Sequence, residues 1–345
     1  MARARIDLPA ITQWITAAAR QHPDDLPEHV AERTGLSRAS AQKALKRLVE
    51  AQWLAREGTP RKPRYQPGLL RQAVHRYSLS GLKEDVPWGR DFAPHFSLPS
   101  QVARIAQHVF TELLNNAIDH SEGTSVTASM RQTPAHVQIL VSDDGRGVFQ
   151  KILEAFDIAD PAIAMLELSK GKLTSQPQRH TGRGLFFASK LADVFDLHAN
   201  DTAYQQRQWD SAGSLRGRPA CKQGTSVFVS ISLETTRTLD EVLRAYSLDG
   251  TGYGFERTVL PLRLLTTPVT WLESRAQARR AAARLQQFKR AEVDFGGIDD
   301  IGHAFADELF RVFKGEHPEV DLVPLNMGPR VAAMVNGIRS ETAGA

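Results

Sequence analysis

Apolar residues near the N-terminus of this chain follow the spacing of short helices. They recur every three or four residues, as on one face of a helix, at Leu8, Ile11, Ile15 and Ala18. A second helix fits residues 27–36, PEHVAERTGL, where Gly35 interrupts the pattern. Ser37 can cap a third helix, SRASAQKALKRLVEAQ, whose apolar residues form one stripe and whose basic residues lie elsewhere on its surface. The pattern therefore predicts three helices in succession.

The next segment, WLAREGTPRKPRYQPG, alternates apolar and polar residues around a Gly-Thr-Pro turn. This pattern predicts a hairpin of two strands after the third helix. Three helices and a hairpin resemble a winged helix-turn-helix, in which the third helix enters the major groove of DNA and the wing contacts phosphates. The resemblance implies that the DNA contacts come from Arg38, Ser40, Gln42, Lys43, Arg61 and Lys62.

Positive charge is concentrated in this N-terminal segment. Residues 1–68 contain 12 Lys or Arg and 7 Asp or Glu, whereas the whole chain has a formal net charge of only +4. A basic segment favours an anionic partner, most simply DNA. A winged helix can also serve protein contact or dimerisation, with its basic residues on a solvated face, so both uses stay open.

In the central segment, VARIAQHVFTELLNNAIDHSEG predicts a long helix with a polar stripe. Its apolar residues repeat every four positions, while Glu112, Asn116 and His120 follow one another on a neighbouring face. Such side chains are costly to bury without partners, so this face is either solvated or serves a ligand. A strand, AHVQILVSDDGRGV, then leads into a turn that contains Gly145 and Gly147.

Two further segments complete the pattern. TGRGLFFASKLADVF places Gly182 and Gly184 at the start of a helix, where backbone N–H groups and the helix dipole favour phosphate. KQGTSVFVSISL begins a strand with a glycine and a threonine. In this order, ELLNNA, DDGRG, GRGL and GTSV resemble the N, G1, G2 and G3 boxes of the GHKL ATPase superfamily, over about residues 98–233. The resemblance implies an α/β sandwich of the Bergerat fold that binds ATP and Mg²⁺.

The same resemblance implies a task for each residue of these boxes. Asn116 would be a ligand of the Mg²⁺ that bridges the nucleotide phosphates, and Glu112 would be the catalytic base. Asp143 would accept a hydrogen bond from the adenine amino group. The adenine pocket would further be formed by Gly145, Gly147 and Thr225, and the phosphates would lie beside Gly182, Arg183 and Gly184.

The C-terminal segment alternates strand and helix patterns, which predicts a small α/β layer. FERTVLPLRLL predicts strands at its start. The run VDFGGIDDIGHAFADELFRVF resembles the STAS-like family DUF4325, which is related to anti-sigma-factor antagonists. In those antagonists a serine at the start of the helix is phosphorylated. Residues 301–304 of this chain, IGHA, contain no hydroxyl, so this serine switch is not expected here.

Other features narrow the class of protein. No apolar run approaches the roughly 18 residues that span a membrane, and the N-terminus lacks the apolar centre of a secretory signal. With a single cysteine as well, we expect a cytoplasmic protein without membrane contact. Residues 69–97 are too short and too rich in Pro and Gly for the two-helix phosphoacceptor segment of a sensor histidine kinase.

The sequence thus predicts a multidomain α/β protein with a winged helix-turn-helix at residues 1–68, a GHKL domain at 69–235 and a STAS-like domain at 236–345. We expect an ATP- and Mg²⁺-binding regulator that binds DNA and couples nucleotide state to transcription. A protein partner would dock on the STAS-like domain, and a homodimer would suit the winged helix and many GHKL proteins. The alternative is an anti-sigma-type protein kinase or an ATPase in a partner-switching pathway.

Overall fold

The computed structural model of this protein describes five stretches of the chain, residues 6–173, 182–210, 214–218, 222–267 and 269–343. Backbone contacts divide the chain into two compact units. The first comprises Met1–Asp143 and Ser230–Thr236, and the second comprises Asp144–Val229 and Arg237–Ala345. Each unit contains a cluster of buried apolar side chains of its own.

The first unit begins with a helix-turn-helix and a two-stranded wing. Its elements are α1 (Leu8–Thr12), α2 (Ile15–Gln21), α3 (Leu26–Thr34), α4 (Arg38–Glu50), β1 (Leu54–Thr59) and β2 (Lys62–Pro67). The first predicted helix is divided into α1 and α2, whereas the other two predicted helices and the antiparallel wing are confirmed. All four helices contribute to one buried core, which includes Ile11, Ile15, Leu26, Val30, Leu45 and Leu48.

Gly35 and Ser37 form the turn between α3 and α4. Gly35 adopts φ +69°, a left-handed conformation that ends α3 and that glycine adopts without strain. The hydroxyl oxygen of Ser37 accepts a hydrogen bond from the backbone N–H of Ser40 at 3.2 Å and so caps the start of α4. The helix cap predicted from the sequence is confirmed.

Besides the covalent chain, a hydrogen bond joins the winged helix to strand β3 (Arg71–Ser78). The hydroxyl oxygen of Thr16, a fully buried residue, accepts a hydrogen bond from the backbone N–H of Gln72 at 3.0 Å. Gly68 packs so closely that a Cβ atom there would lie 2.1 Å from the carbonyl oxygen of Gln52, just before the wing. The winged helix is therefore packed against the first strand of the sheet that follows.

The rest of the first unit places one long helix against an antiparallel sheet. The elements are the short helix α5 (Asp85–Pro87), the long helix α6 (Ser100–His120), and the strands β4 (Ser125–Gln132) and β5 (His136–Asp143). The strand order is β3-β4-β5, and α6 packs on β5. The predicted apolar face of α6 is buried at Ile105, Val109, Leu113 and Ala117. The polar stripe of α6 and the end of β5 thus belong to one unit.

The second unit begins with the remaining elements of the central segment. They are α7 (Val148–Ala155), α8 (Pro161–Lys170), α9 (Gly184–Leu191), β6 (Val194–Asn200), β7 (Thr202–Arg207), β8 (Ser214–Arg216) and β9 (Lys222–Ser232). The strand order is β9-β6-β7-β8, and β6, β7 and β8 are antiparallel neighbours. The end of β9, from Ser230 onward, already belongs to the first unit.

The C-terminal part of the second unit contains a three-stranded parallel sheet, in the order β10-β11-β12. Its elements are α10 (Leu239–Arg244), β10 (Arg257–Pro261), α11 (Arg275–Ala282), β11 (Arg290–Asp294), α12 (His303–Asp307), α13 (Lys314–Glu316), β12 (Asp321–Leu325) and α14 (Pro329–Ala343). The predicted alternation of strands and helices is confirmed. Leu262–Leu265, which was expected to be strand, is a 3-10 helix, because Pro261 has no N–H to continue a strand ladder.

Candidate functional site

Glu112 and Asn116 lie one turn apart on α6, and both residues are half-buried. The side-chain amide nitrogen of Asn116 donates a hydrogen bond to the backbone carbonyl of Glu112 at 2.7 Å. This bond engages the amide nitrogen, so the amide oxygen is the atom that Asn116 can offer to a cation. Oxygen is the ligand atom that Mg²⁺ prefers, and Glu112 adds a carboxylate one turn away. The arrangement fits a cation-binding helix face.

Asp143 is the last residue of β5 and is only 7% exposed. A buried carboxylate is costly unless a donor or a ligand satisfies its oxygens. Because the strand ends here, Asp143 lies directly before the glycine turn that follows. This position suits a carboxylate that accepts a hydrogen bond from a bound base.

The side chain of Asn200 holds the glycine turn after β5, and both the turn and Asn200 belong to the second unit. Gly147 adopts φ +89°, and a Cβ atom there would lie 2.6 Å from the amide nitrogen of Asn200. That nitrogen donates to the backbone carbonyl of Arg146 at 2.9 Å, while the amide oxygen of Asn200 accepts from the backbone N–H of Gly224 at 3.2 Å. Asn200 therefore joins the turn to the beginning of β9.

Thr225 makes a second connection of this kind, between the beginning of β9 and the beginning of α7. Its hydroxyl oxygen accepts a hydrogen bond from the backbone N–H of Val148 at 3.0 Å, at the start of α7. Thr225 was predicted to line an adenine pocket, whereas the part played by Asn200 was missed. The signal for Asn200 is weak, since an Asn-Asp pair between two strands mainly indicates a turn, and Asn200 has φ +52°.

A second glycine turn precedes α9. Gly182 adopts φ +64°, and Gly184 begins the helix. Between them, Arg183 donates a hydrogen bond from its Nη1 atom to the backbone carbonyl of Tyr253 at 3.4 Å. Its Nε atom is buried and makes no hydrogen bond to any residue that the structure describes. The start of an eight-residue helix thus combines backbone donors, the helix dipole and an unsatisfied guanidinium nitrogen, which together suit a phosphate.

These features agree in chemistry with the nucleotide site that the sequence predicted. Asn116 offers an oxygen for a metal ion, Asp143 offers an acceptor for a base, and the turn at Gly182 offers donors for phosphates. Asp143, Glu112 and Asn116 belong to the first unit, and the two glycine turns and Thr225 belong to the second. The assignment of all these residues to one nucleotide stays a prediction.

The predicted DNA-binding residues form an exposed surface on α4 and on the wing. Gln42 and Lys43 are exposed on α4, and Arg61 and Lys62 are exposed at the turn of the wing. Ser40 is half-buried, and its hydroxyl accepts a hydrogen bond from the hydroxyl of Ser37 at 3.0 Å. It is therefore less accessible to DNA than its neighbours.

Arg38 is exposed but has a partner on α3. Its guanidinium group lies 2.5 Å from the carboxylate of Glu28, and both side chains are largely in contact with solvent. Surface ion pairs of this kind contribute about 0–1 kcal/mol. A DNA phosphate could therefore replace Glu28 as the partner of Arg38 at small cost.

The chain matches the models of three known protein families, and their order along the chain is that of the three domains that the sequence predicted. Residues 14–64 match the model of the MarR family, and residues 101–235 match the model of histidine kinase-, DNA gyrase B- and HSP90-like ATPases. Residues 278–332 match the STAS-like domain of unknown function DUF4325. No curated protein matches the chain.

The chain therefore combines a winged helix-turn-helix of the MarR type, a GHKL ATPase domain and a STAS-like domain, as the sequence motifs predicted. The predicted multidomain α/β fold class is confirmed too. A GHKL domain implies nucleotide binding, and a MarR-type domain suggests DNA binding. None of the helices in the described ranges is long and apolar enough to cross a membrane.

Proposed function

We propose that this protein is a nucleotide-controlled DNA-binding regulator. Its winged helix binds DNA, its GHKL domain binds ATP and Mg²⁺, and its STAS-like domain docks a protein partner. The observation that carries this proposal is the junction at Thr16 and Gln72, which packs the winged helix on β3. Because β3 belongs to the same compact unit as α6, the winged helix and the helix of Glu112 and Asn116 are parts of one compact unit.

Different residues of the GHKL domain would bind the metal ion, the base and the phosphates of the nucleotide. Asn116 would bind Mg²⁺ through its amide oxygen, and Asp143 would accept a hydrogen bond from adenine. The turn at Gly182, with Arg183 and the start of α9, would bind the phosphates. Bound ATP supplies a triphosphate whose presence or cleavage can serve as the signal. A homodimer would present two winged helices to a symmetric DNA site.

The test of this proposal is the affinity for DNA with and without nucleotide. We expect the Kd for a DNA duplex to change about 5-fold or more when ATP and Mg²⁺ saturate the protein, which is the usual range of coupling between sites. Fluorescence anisotropy of labelled DNA would measure it, with GTP and Mg²⁺ at the same concentration as the control. Equal DNA affinity with and without saturating ATP would contradict nucleotide control.

A second candidate function is a protein kinase or ATPase, favoured by the carboxylate of Glu112 one turn from Asn116. A general base contributes roughly 10²- to 10⁴-fold to a rate. This candidate predicts that Glu112→Ala lowers phosphate release, or label transfer from γ-labelled ATP to protein, by at least about 100-fold while ATP still binds. Rates in wild type that do not exceed those of Glu112→Ala would exclude it.

A further inference from the structure

Helix α8 ends in a group of buried charges shared with the C-terminal part of the second unit. Lys170, the last residue of α8, is fully buried, and its ammonium group donates hydrogen bonds to the carboxylate of Glu167 and to the backbone carbonyl of Ala283, both at 2.5 Å. The hydroxyl of Thr258 in β10 donates to the backbone carbonyl of Lys170 at 2.7 Å. The end of α8 is therefore fixed to two segments of the C-terminal part.

Arg284 contacts both Glu167 in α8 and the backbone that directly follows α8. Its Nη1 atom lies 2.9 Å from the other carboxylate oxygen of Glu167. Its Nη2 atom donates to the backbone carbonyl of Lys172 at 2.5 Å and to that of Gly171 at 3.4 Å. Arg284 has φ +66°, which residues other than glycine rarely adopt, and these contacts offset the strain. One side chain thus fixes the backbone just beyond α8.

That backbone is the surface on which the second glycine turn packs. A Cβ atom on Gly182 would lie 2.5 Å from both the backbone nitrogen and the backbone oxygen of Leu173. Leu173 directly follows Lys172, whose carbonyl is bound by Arg284. Gly182 therefore packs on a segment that Arg284 helps to hold in place.

Residues of the C-terminal part also contact the other side of the turn. The backbone carbonyl of Tyr253 accepts a hydrogen bond from Arg183, and the guanidinium carbon of Arg183 lies 5.6 Å from the ring centre of Phe255. In α9, the rings of Phe186 and Phe187 lie 4.6 and 5.1 Å from that of Phe255. The start of α9 is thus packed on the C-terminal part as well.

We propose that Arg284 is a positioning residue for the phosphate-binding turn of Gly182–Gly184, and that the C-terminal part thereby controls affinity for the nucleotide phosphates. This inference rests on the proposed nucleotide site. Arg284 would act on the turn through the carbonyl of Lys172 and the backbone of Leu173. By linkage, a protein that binds the C-terminal part and shifts Arg284 would change ATP affinity, and ATP would change the affinity for that protein by the same factor.

The experiment compares a ligand that has phosphates with one that lacks them. ATP and adenosine each displace a fluorescent ATP analogue from wild type and from Arg284→Ala. We expect Arg284→Ala to bind ATP about tenfold more weakly or worse, by analogy with residues that position metal ligands, whose loss costs roughly 10- to 100-fold, and to bind adenosine within twofold of wild type. A merely structural role would weaken both ligands equally, and that result would overturn the proposal.

Two further variants complete the test. Arg279→Ala is the matched control, because Arg279 also forms an ion pair with a buried carboxylate of the C-terminal part, at 2.6 Å from Glu308. It should leave both affinities unchanged. Arg284→Lys retains a positive charge beside Glu167 but has one nitrogen in place of the two that bind Glu167 and the carbonyl of Lys172 in Arg284, so it should fold and still lose ATP affinity. Wild-type affinity for ATP in Arg284→Lys would overturn the positioning role, whereas a wild type that binds neither ligand would overturn the nucleotide site itself.

Discussion

An Asp143→Ala variant is expected to lose most of the thermal stabilisation that ATP and Mg²⁺ give to the wild-type protein. Asp143 is 7% exposed at the end of β5, where it can accept a hydrogen bond from the adenine amino group away from water. A hydrogen bond to a charged group contributes about 1.5–3 kcal/mol. Its loss should therefore weaken ATP binding roughly 10- to 150-fold.

The expected change in stability follows from mass action. At a nucleotide concentration 100 times the wild-type Kd, binding adds about 2.7 kcal/mol to the free energy of unfolding. A 100-fold loss of affinity lowers this contribution to about 0.4 kcal/mol. Thermal unfolding with and without ATP and Mg²⁺ measures both values.

The control for this comparison is Asp85→Ala, which removes an exposed aspartate from the same compact unit. It changes the net charge by the same amount and should retain the full stabilisation by ATP. If Asp143→Ala is stabilised as strongly as wild type, Asp143 does not bind the nucleotide.

Local patterns were sufficient to predict the winged helix. The cap at Ser37 and the break at Gly35 depend on neighbours within a few residues, and both occur where the sequence placed them. The alternation of apolar and polar residues before and after the Gly-Thr-Pro turn likewise predicts β1 and β2, since a hairpin is a local structure. The GHKL boxes required a different kind of argument, because each short motif is common and only their order is specific.

Contacts between distant segments could not be predicted in this way. Asn200 reaches Arg146 across 54 positions, and Arg284 reaches Glu167 across 117. No periodicity or motif brings such pairs together. Helix α8 shows the same limit, because nine of its ten residues are buried, including Lys170, and burial on all sides leaves no amphipathic pattern to recognise.

Each compact unit joins one flanking domain to part of the ATPase domain. In the first unit, Thr16 and Gln72 connect the winged helix to the sheet that α6 packs on. In the second unit, Arg284 connects the C-terminal part to the chain beside Gly182. In the proposed regulator, such connections would let a ligand bound in one part of a unit bias the domain that is packed against it.

The second large effect is expected on DNA binding, when the basic surface of the winged helix is neutralised. We expect the combined variant R38Q/K43Q/R61Q/K62Q to bind DNA with a much weaker dependence on salt than wild type. Each phosphate contact contributes about −0.9 to the slope of log K against log salt, so four lost contacts make the slope shallower by roughly 3–4. Raising the salt concentration fourfold should then weaken wild type about 100-fold more than the variant.

Anisotropy titrations of labelled DNA at several salt concentrations measure this slope. The matched control, K83Q/R104Q/R280Q/R330Q, removes the same amount of charge from exposed residues outside the winged helix. If net charge alone attracted DNA, both variants would lose affinity alike. If the surface of α4 and the wing binds DNA, only the first variant loses it, because counterions are released where basic side chains meet phosphates. Equal slopes in wild type and in the first variant would show that the winged helix serves a contact other than DNA.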